Sequence, residues 1–477
     1  MEKNKMYILY PPISEKERYF SEIGSAGGKQ IPLGIYYVAS YLRANNFEVK
    51  VTDAEALKLS TWEIIEQVKS FNPKFVGIGS TTVAFHRALE VAREIKKQLK
   101  DIIVILGGPH VTSNSSHAMS FNEFDFGVLH EGEQTIVELL NAINNHSNYN
   151  SVNGIIYRAN DKLVRTAPRD YIEDLDLLPF PAYDLIEDIN LYAPPPSNYK
   201  TLPVINMITT RGCPSLCTFC DNNIFGRKYR KRSAENIVEE IKLLRKNYQV
   251  REIAFVDDTL LIDKKRIYKL FELLEQEKIE IDWTCMSRIN NVDYDFLSFV
   301  KAKGGWHISF GIESGDEGIL KTIKKNISIE KAREVIEDCH KLGIRTKGFF
   351  IIGHPTESLE TLNKTIKFAC ELKLDDIVAT INTPIPGSLQ YAEAEKYGTF
   401  DQTNWAEFTY WRPVFIPFGL TKEILLNKHK EIYRKFYLRP RVLIRYLLSF
   451  FAKGGLKRFW TILKASMFLF KKKVVIS

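Results

Sequence analysis

The sequence predicts an α/β protein with two parallel-sheet domains followed by a helical C-terminal extension. The first observation is that short apolar segments alternate with amphipathic helical segments as far as about residue 400, the pattern of helices packed on parallel sheets. The second is that glycine, proline and small polar residues directly follow the apolar segments, where open parallel sheets bind ligands. The third is a length of 477 residues, enough for two or three domains.

Residues 1–150 are predicted to form a doubly wound sheet, because short buried strands alternate with helices. We expect strands at residues 6–10, 47–51, 75–79, 102–106 and 126–129. The loops after these strands should meet at one edge of the sheet and form a ligand site there. The residues expected at that site are Pro11, Ser80, Thr81, Gly107, Gly108, Pro109, Glu131 and Gly132.

Residues 151–200 are predicted to be a connection that contains one hairpin and a proline-rich linker. Residues 201–400 repeat the strand–helix alternation in six units, which fits an open or partial (β/α)6 barrel. Chemistry in such a barrel takes place at the carboxyl ends of the strands, and the charged and small residues of this region follow its strands. Residues 401–477 are predicted to form the helical extension.

Three of the six cysteines lie within eight residues, at Cys213, Cys217 and Cys220. Thiolates this close on a loop can converge on one metal centre. A tetrahedral zinc site would need a fourth ligand nearby, but the next cysteine is Cys285 and the nearest histidine is His146. Three thiolates suit a [4Fe-4S] cluster with one iron open to a non-protein ligand. A zinc site that borrows a distant ligand and three incidental core cysteines are the alternatives.

The other cysteines, Cys285, Cys339 and Cys370, lie in apolar patterns and are predicted to be buried packing residues. Scarce, clustered cysteine indicates a reduced, cytoplasmic protein rather than a disulfide scaffold. The N-terminus lacks the apolar core of a signal peptide, and no apolar run is long enough to span a membrane. His307 and His354, near strand ends, are candidates to face a substrate.

The cysteine spacing, with Phe219 directly before the last cysteine, resembles the signature of radical S-adenosylmethionine (SAM) enzymes. The resemblance implies that Cys213, Cys217 and Cys220 hold a [4Fe-4S] cluster and that SAM chelates its open iron. It further implies that an electron donor such as flavodoxin or ferredoxin reduces the cluster. The reduced cluster would then cleave SAM to a 5′-deoxyadenosyl radical.

By the same resemblance, SAM is contacted by polar residues that follow the strands of the second domain. For each of them, a helix cap or a surface ion pair is the alternative interpretation. The expected contacts are Phe219 near the adenine, Asp257 and Asp258 at the amino group, Ser287 and Arg288 at the carboxylate or ribose, and Glu313 and Ser314 at the ribose hydroxyls.

Three short segments of the first domain carry a second resemblance. Residues 32–37 (Pro-Leu-Gly-Ile-Tyr-Tyr), residues 107–110 (Gly-Gly-Pro-His) and Gly132-Glu133, in this order, look like the cobalamin-binding domain that precedes many radical SAM cores. The loop residues named above would then bind cobalamin. One departure is the absence of Asp-x-His-x-x-Gly after the first strand, since the first histidine is His86. We expect cobalamin bound without a protein ligand below the ring; a degenerate site is the alternative.

The two resemblances imply a cobalamin-dependent radical SAM enzyme. Methyl transfer to an unactivated carbon is the commoner outcome for this architecture and is the reaction that we expect. Oxidative ring closure is the first alternative, because the anaerobic magnesium-protoporphyrin monomethyl ester cyclases have similar motifs. A non-catalytic cobalamin or redox-sensing module is the second alternative, but it would not need polar residues at every strand end.

The positive charge of the chain is concentrated in its tail. The net charge is +8, yet the first 431 residues hold 54 basic and 58 acidic residues, and the remainder holds twelve basic and no acidic ones. Apolar residues, Trp460 among them, recur there at helical spacing on both sides of Gly454-Gly455. Basic helices of this kind commonly lie in a membrane interface, so we expect peripheral membrane contact and an apolar or lipid-like substrate. Closure of the barrel by the apolar face is the alternative, and no motif indicates nucleic-acid binding.

Overall fold

The structure, a computed structural model, describes residues 2–19 and 28–444. Within these ranges the first domain is built on a seven-stranded sheet. Its strands are β1 (Glu2–Tyr10), β2 (Glu48–Asp53), β3 (Pro73–Gly79), β4 (Ile103–Gly107), β5 (Phe126–Val128), β6 (Ile155–Ala159) and β7 (Lys162–Arg165). The order is β2-β1-β3-β4-β5-β6-β7; the first five strands are parallel, and the predicted hairpin, β6–β7, adds an antiparallel edge.

Helices cover both faces of this sheet. They are α1 (Glu15–Tyr19), α2 (Leu33–Ala44), α3 (Ala54–Leu57), α4 (Thr61–Phe71), α5 (Phe85–Gln98), α6 (Pro109–Ser113), α7 (Ser115–Ala118) and α8 (Gly132–Asn144). The alternation in β1 explains the two layers, since Met6 and Ile8 pack with α2 and α8, whereas Tyr7 and Leu9 pack with α4 and α5. Because β1 lies between β2 and β3, a ligand crevice is expected at the carboxyl ends of these strands.

The second domain contains a six-stranded parallel sheet in the described part of the chain. The strands of this domain are β8 (Val204–Met207), β9 (Thr210–Arg211), β10 (Arg230–Lys231), β11 (Glu252–Phe255), β12 (Asp282–Ser287), β13 (Gly305–Glu313), β14 (Arg345–Ile352) and β15 (Asp376–Ile381). The order of the large sheet is β15-β14-β13-β12-β11-β8, which is the predicted partial barrel, and β9 pairs with β10 in a separate antiparallel ribbon.

Helices pack outside this sheet and bury its outer face. They are α9 (Ala234–Tyr248), α10 (Lys264–Gln276), α11 (Tyr294–Ala302), α12 (Glu317–Thr322), α13 (Ile329–Lys341) and α14 (Leu359–Glu371). The edge strand β8 is joined to the first domain, because the Asn206 side chain donates to Ile31 O at 2.9 Å and accepts from Ile31 N at 3.0 Å.

The C-terminal extension is mixed rather than purely helical. It contains α15 (Leu389–Glu393), β16 (Gly398–Phe400), β17 (Phe415–Pro417) and α16 (Lys422–Tyr437). Helix α16 covers the edge strand β15, where His429 Nε2 and Tyr433 OH both donate to Ala379 O, at 2.8 and 3.0 Å. No helix of the described ranges is both long and apolar enough to cross a membrane. The predicted basic helices after residue 444 lie outside the described residues.

Candidate active site

The six parallel strands of the second domain have two different faces. Outward residues such as Ile205, Phe255 and Trp283 are fully buried against the surrounding helices. Neighbouring residues face inward and remain partly accessible, so the strands enclose a space. These inward residues are mostly apolar: Ile208, Val256, Met286, Gly311, Phe349, Ile351, Val378 and Thr380. The accessible part of the inner wall, which borders the space called the chamber below, is therefore mainly apolar, whereas Asn206, Thr284, His307 and Ser309 on the same face are polar and buried.

Charged residues lie at the amino end of this chamber, where Lys347, Phe349 and Val378 line a cavity of about 430 Å³ together with residues of the first domain. Lys347 Nζ lies 3.1 Å from Asp376 Oδ2 and donates to Asn198 Oδ1 at 2.5 Å. His307 lies near this pair, and its burial together with the Lys347 charge holds its pKa well below the ordinary value. His307, a sequence candidate for substrate contact, is thus buried at the amino end of the barrel, six residues before Glu313 along β13.

The cysteine loop leaves the carboxyl end of β8 and is closed at its base by the ribbon β9–β10. Gly212 begins the loop with a φ of +87°, and a Cβ there would lie 2.2 Å from Lys228 O. Only glycine fits this position without strain. Inside the loop, Thr218 N donates to Ile323 O at 3.0 Å, which ties the cysteines to the segment after β13.

Two of the three thiols border a cavity. Cys217 is buried, Cys213 half-buried and Cys220 exposed, and a cavity of about 280 Å³ is lined by Cys217, Cys220 and Tyr171. No three His, Cys, Asp or Glu side chains in residues 2–19 and 28–444 are placed to hold a single metal ion. A zinc site would need such a group, whereas the thiolates of a cubane bind different irons. Loop, thiols and cavity therefore fit a [4Fe-4S] cluster.

Three charged side chains surround the cysteines. Arg288 Nη1 lies 3.4 Å from Cys217 Sγ, and Glu313 Oε1 pairs with Lys325 Nζ at 2.7 Å, both side chains being 7% exposed. Lys325 Nζ also lies 5.8 Å from the centroid of the Phe219 ring. The structure thus brings the predicted Phe219, Arg288 and Glu313 together. Lys325 was missed because it follows a surface helix among other lysines and carries no motif.

Asp257 stabilises the approach to the cysteine loop. Its Oδ1 accepts hydrogen bonds from Thr209 N (2.8 Å), Thr209 Oγ1 (2.9 Å) and Thr210 Oγ1 (2.6 Å). Its Oδ2 is buried with no hydrogen-bond partner among the described residues, which leaves an acceptor for a cationic group of a ligand. Asp258 is exposed. Neither carboxylate caps α10, whose cap is Asp263.

The two predicted serines are buried, and their hydroxyls are used within the protein. Ser287 Oγ donates to Arg288 O at 3.2 Å, and Ser314 Oγ lies 3.1 Å from Thr365 Oγ1. Glu313 differs, because it ends β13 with a φ of +67°, a strained conformation for a residue with a Cβ. The geometry favours Glu313 over Ser314 as a ligand contact.

A second polar cluster lies beside Phe219. The His354 ring is 5.7 Å from the Phe219 ring, and burial lowers the pKa of His354 to about 3. Glu357 Oε2 accepts from His354 N at 3.0 Å, and burial raises the pKa of Glu357 to about 8. In the described ranges, His354 Nε2, Glu357 Oε1 and Gln390 Oε1 are buried without hydrogen-bond partners. Such atoms fit a polar ligand better than a closed core.

The carboxyl edge of the first sheet leaves room for a ligand. Gly108 has a φ of +96°, and a Cβ there would lie 2.8 Å from Ser80 O, so the loops after β3 and β4 are in contact. A Cβ at Gly107 would meet nothing within 4 Å. The other small residues predicted for this edge follow β1 or β3 or begin a helix: Pro11, Thr81, Pro109 and Gly132. This open, glycine-lined edge fits the approach of a large planar cofactor.

Glu131 does not present its carboxylate to that edge. It is 5% exposed, and its Oε1 lies 3.0 Å from Arg211 Nη1 and 2.8 Å from Arg230 Nη1. Its Oε2 accepts from Ile172 N at 2.7 Å. The side chain that the sequence places at the cobalamin edge is instead bound to the base of the cysteine loop.

Two histidines follow the strands of the same edge. His110 is fully buried; its Nε2 lies 3.0 Å from His117 Nδ1, and its Nδ1 lies 3.2 Å from Thr82 Oγ1. His130 Nδ1 donates to Asn223 O at 2.5 Å. Both ring nitrogens of His110 are therefore occupied, which agrees with the expectation that no protein nitrogen lies below the cobalamin ring.

The C-terminal extension reaches across both domains. The Trp405 ring lies 5.5 Å from the His110 ring in the first domain. Five residues later, Tyr410 O accepts from Ile381 N at 2.8 Å at the carboxyl end of β15, and Tyr410 has a φ of +64°. This segment links the ligand edge of the first sheet to the mouth of the barrel, and no sequence motif indicated it.

Comparison with known proteins assigns the family. The profile of the Radical SAM superfamily matches residues 207–369, and that of the B12 binding domain matches residues 23–140. An uncharacterized methyltransferase of Pyrococcus horikoshii is 34% identical over 449 residues, which are 93% of this chain and 95% of that protein. The chain belongs to the B12-binding radical SAM family.

A further relative supports this assignment, and a solved structure shows the same fold. An anaerobic magnesium-protoporphyrin IX monomethyl ester cyclase of Rubrivivax gelatinosus is 30% identical over 438 residues, covering 89% of this chain and 77% of the cyclase. The radical SAM methyltransferase TsrM of Kitasatospora setae, solved with cobalamin and a [4Fe-4S] cluster, has the same fold: the match covers 98% of this chain and 100% of TsrM with a TM-score of 0.71 at 14% identity.

Membership of the B12-binding radical SAM family confirms the predicted fold class and makes the protein an enzyme. It also confirms the cofactor set, a [4Fe-4S] cluster, SAM and cobalamin, since each domain of the family binds its own cofactor. The alternative of a non-catalytic sensor is not retained. The residues that contact each cofactor remain predictions.

Proposed function

We propose that this radical SAM protein transfers a methyl group to an unactivated carbon of an apolar substrate. The observation that carries the proposal is the chamber inside the barrel, where Met286, Phe349, Ile351 and Val378 remain partly accessible. An apolar molecule that covers these side chains gains roughly 25 cal/mol per Å² of buried apolar surface. The Pyrococcus relative, which is named a methyltransferase, supports the same reaction type.

The side chains around the cysteines would hold and orient the cofactors. When bound, the cluster, SAM and cobalamin would supply radical chemistry and a methyl donor. Cys213, Cys217 and Cys220 would hold the cluster. The unpaired Asp257 Oδ2 would accept a hydrogen bond from the ammonium of SAM, and Glu313 would receive its ribose hydroxyls.

The shape of the chamber would protect the reaction. The buried Lys347–Asp376 pair lies at the amino end of the barrel, and a bound apolar substrate would exclude water from the apolar part of the inner wall. A substrate carbon held there would react before solvent can intervene.

Ring closure is the second candidate reaction. It is favoured by the cyclase relative, which aligns with 89% of this chain at 30% identity. The same chamber would serve it, because both reactions begin with removal of a hydrogen atom from an apolar carbon.

Isotope labelling separates the two reactions. The reconstituted enzyme, incubated anaerobically with reductant, hydroxocobalamin and SAM carrying a deuterated methyl group, would be given extracts of apolar metabolites. Methyl transfer predicts a product that carries the deuterated methyl group, together with 5′-deoxyadenosine. A product that loses hydrogen and gains no label would favour ring closure, and absence of 5′-deoxyadenosine would contradict both.

An acidic electron carrier such as flavodoxin or ferredoxin is proposed as the reductant. Arg227 and Lys324 line the cavity beside Cys217 and Cys220, and positive charge near the cluster would attract an acidic protein.

A further inference from the structure

A buried ion network joins the first domain to the base of the cysteine loop. Glu131 and Glu133 follow β5, whereas Arg211 and Arg230 lie directly opposite one another in the ribbon β9–β10. The four side chains are between 1% and 6% exposed. Glu131 Oε1 lies 3.0 Å from Arg211 Nη1 and 2.8 Å from Arg230 Nη1, and Glu133 Oε1 lies 2.6 Å from Arg211 Nη2.

The ribbon is unfavourable without these carboxylates. Two like charges at opposite positions of an antiparallel pair repel one another, and burial makes uncompensated guanidinium groups more costly still. Glu131 bridges Arg211 and Arg230, and it therefore removes the repulsion at the point where the cysteine loop begins and ends. Closure of the loop thus depends on a carboxylate from the other domain.

Two other contacts tie the same elements together. The Ser113 hydroxyl at the end of α6 donates to Asp221, the residue after Cys220. His130, which precedes Glu131, donates through Nδ1 to Asn223 O. The loops of the first sheet's ligand edge and the cysteine loop therefore move as one unit.

We infer that Glu131 is a positioning residue that couples cobalamin binding to the geometry of the cluster loop. A ligand that orders the loop after β5 would also fix Glu131, and Glu131 would fix both ends of the cysteine loop. Such coupling is reciprocal, so a cluster in place would strengthen cobalamin binding. The inference rests on the family's cofactor set and is independent of the reaction proposed above.

The test compares wild-type protein with Glu131→Gln, each with and without the reconstituted cluster and with and without hydroxocobalamin. We expect cobalamin to change the electron paramagnetic resonance spectrum of the reduced wild-type cluster. We also expect the cluster to tighten hydroxocobalamin binding by about tenfold, a typical allosteric coupling. Glu131→Gln should bind each cofactor alone yet lose both effects, because glutamine cannot neutralise two opposed guanidinium groups.

Asp376→Asn is the matched control. Asp376 is also buried and pairs with a cation, Lys347, but it lies on β15, at the edge of the sheet opposite β8 and the ribbon, so this variant should be less stable with its coupling intact. Coupling that persists in Glu131→Gln overturns the inference. A wild-type cluster spectrum that does not change when cobalamin is added overturns it as well. If Glu131→Gln does not fold, Arg211→Lys decides, because a lysine cannot bridge Glu131 and Glu133; full coupling in that variant would also overturn the inference. Absence of methyl transfer leaves these measurements unaffected.

Discussion

Glu357 and His354 show how burial sets the charge of single residues in this protein. Burial raises the pKa of Glu357 to about 8 and lowers that of His354 to about 3. Near neutral pH, both side chains are therefore mainly uncharged, although both could carry charge in water. The polar cluster beside Phe219 can consequently offer hydrogen bonds without adding net charge next to the cysteines.

The pKa of Glu357 predicts a specific pH dependence of stability. Its value rises from 4.5 to about 8, so the folded state retains a proton that the unfolded chain releases. Below pH 4.5, Glu357 is protonated in both the folded and the unfolded state, and the contribution of its proton to stability is fully present. As the pH rises from 4.5 through about 8, the unfolded chain releases the proton while the folded state keeps it, and this contribution is lost. Glu357→Gln should gain stability relative to wild type across this range, by about 1.4 kcal/mol for each pKa unit of the shift. Urea unfolding at several pH values measures the difference, and a constant difference would contradict the prediction.

The cysteines predict a clear division between cluster ligands and packing residues. Cys213→Ala, Cys217→Ala and Cys220→Ala should each abolish the broad visible absorption of the reconstituted cluster. Cys285→Ala should retain it, because Cys285 is buried in the core at 3% exposure, and should only lower stability by about 1–2 kcal/mol. Stoichiometric zinc without iron after anaerobic purification would rule out the cluster.

The hydrogen-bonded histidines predict the state of the bound cobalamin. Since both ring nitrogens of His110 are occupied, cob(II)alamin in the protein should show no axial nitrogen splitting in its electron paramagnetic resonance spectrum. Nitrogen splitting in the wild type that disappears in His130→Gln would identify His130 as an unexpected ligand.

At the scale of elements, the two-stranded ribbon is the smallest unit that matters for function. It contains two residues in each strand, yet it holds the loop that carries all three cluster cysteines. So short a ribbon is not stable by itself. Its stability comes from the Asp257 hydrogen bonds before it and from the Glu131 bridge beside it.

The backbone conformation of Gly212 predicts that a substitution there disrupts the ribbon. Gly212→Ala should lower the free energy of unfolding by about 1–3 kcal/mol, because residue 212 has a φ of +87°. The variant should also lose the cluster, because the new Cβ displaces the Lys228 carbonyl. Gly419→Ala is the control: its φ is +84°, but a Cβ there meets nothing within 4 Å. It should lose stability and keep the cluster. Thermal unfolding and iron content measure the two effects, and equal iron content in both variants would refute the role of Gly212.

At the scale of the whole molecule, the first domain, the barrel and the extension are in contact with one another. The first domain joins the edge strand β8 through Asn206, and α16 covers the opposite edge strand β15 through His429. The mouth of the barrel and the ligand edge of the first sheet are linked by the cysteine loop and by Trp405. Two cofactor sites on separate domains can therefore act on one substrate.

The basic tail predicts that the enzyme binds to anionic membrane surfaces. The full chain should float with anionic vesicles at low salt, and a chain that ends at Gly454 should not, because each Lys or Arg near an anionic surface contributes about 1 kcal/mol. Neutral vesicles serve as the control and should bind neither chain. Equal flotation of the two chains would assign the tail to packing and would remove the reason for expecting a lipid-like substrate.

Local patterns in the sequence were sufficient to predict the elements of both sheets and to propose the cluster ligands. Buried strands followed by helices identify both sheets, because the alternation of side chains is a property of neighbouring residues. The cysteine spacing works in the same way, since one loop supplies the three thiols. The absence of a histidine before His86 is likewise a local observation, and the unliganded lower face of cobalamin that it implies stays a prediction.

Only the tertiary structure decided which polar groups meet. Glu131 was expected at the cobalamin edge, but it pairs with Arg211, 80 positions later in the chain. Gln390 approaches Thr218 across 172 positions, and Lys325 reaches Phe219 from the segment after α12. No local pattern records such encounters, because they arise when separate elements pack and buried charges must find partners. The sequence alone thus determined the fold class and the cofactor set and placed the candidate cluster ligands on a single loop, whereas packing determined the contacts between the two domains.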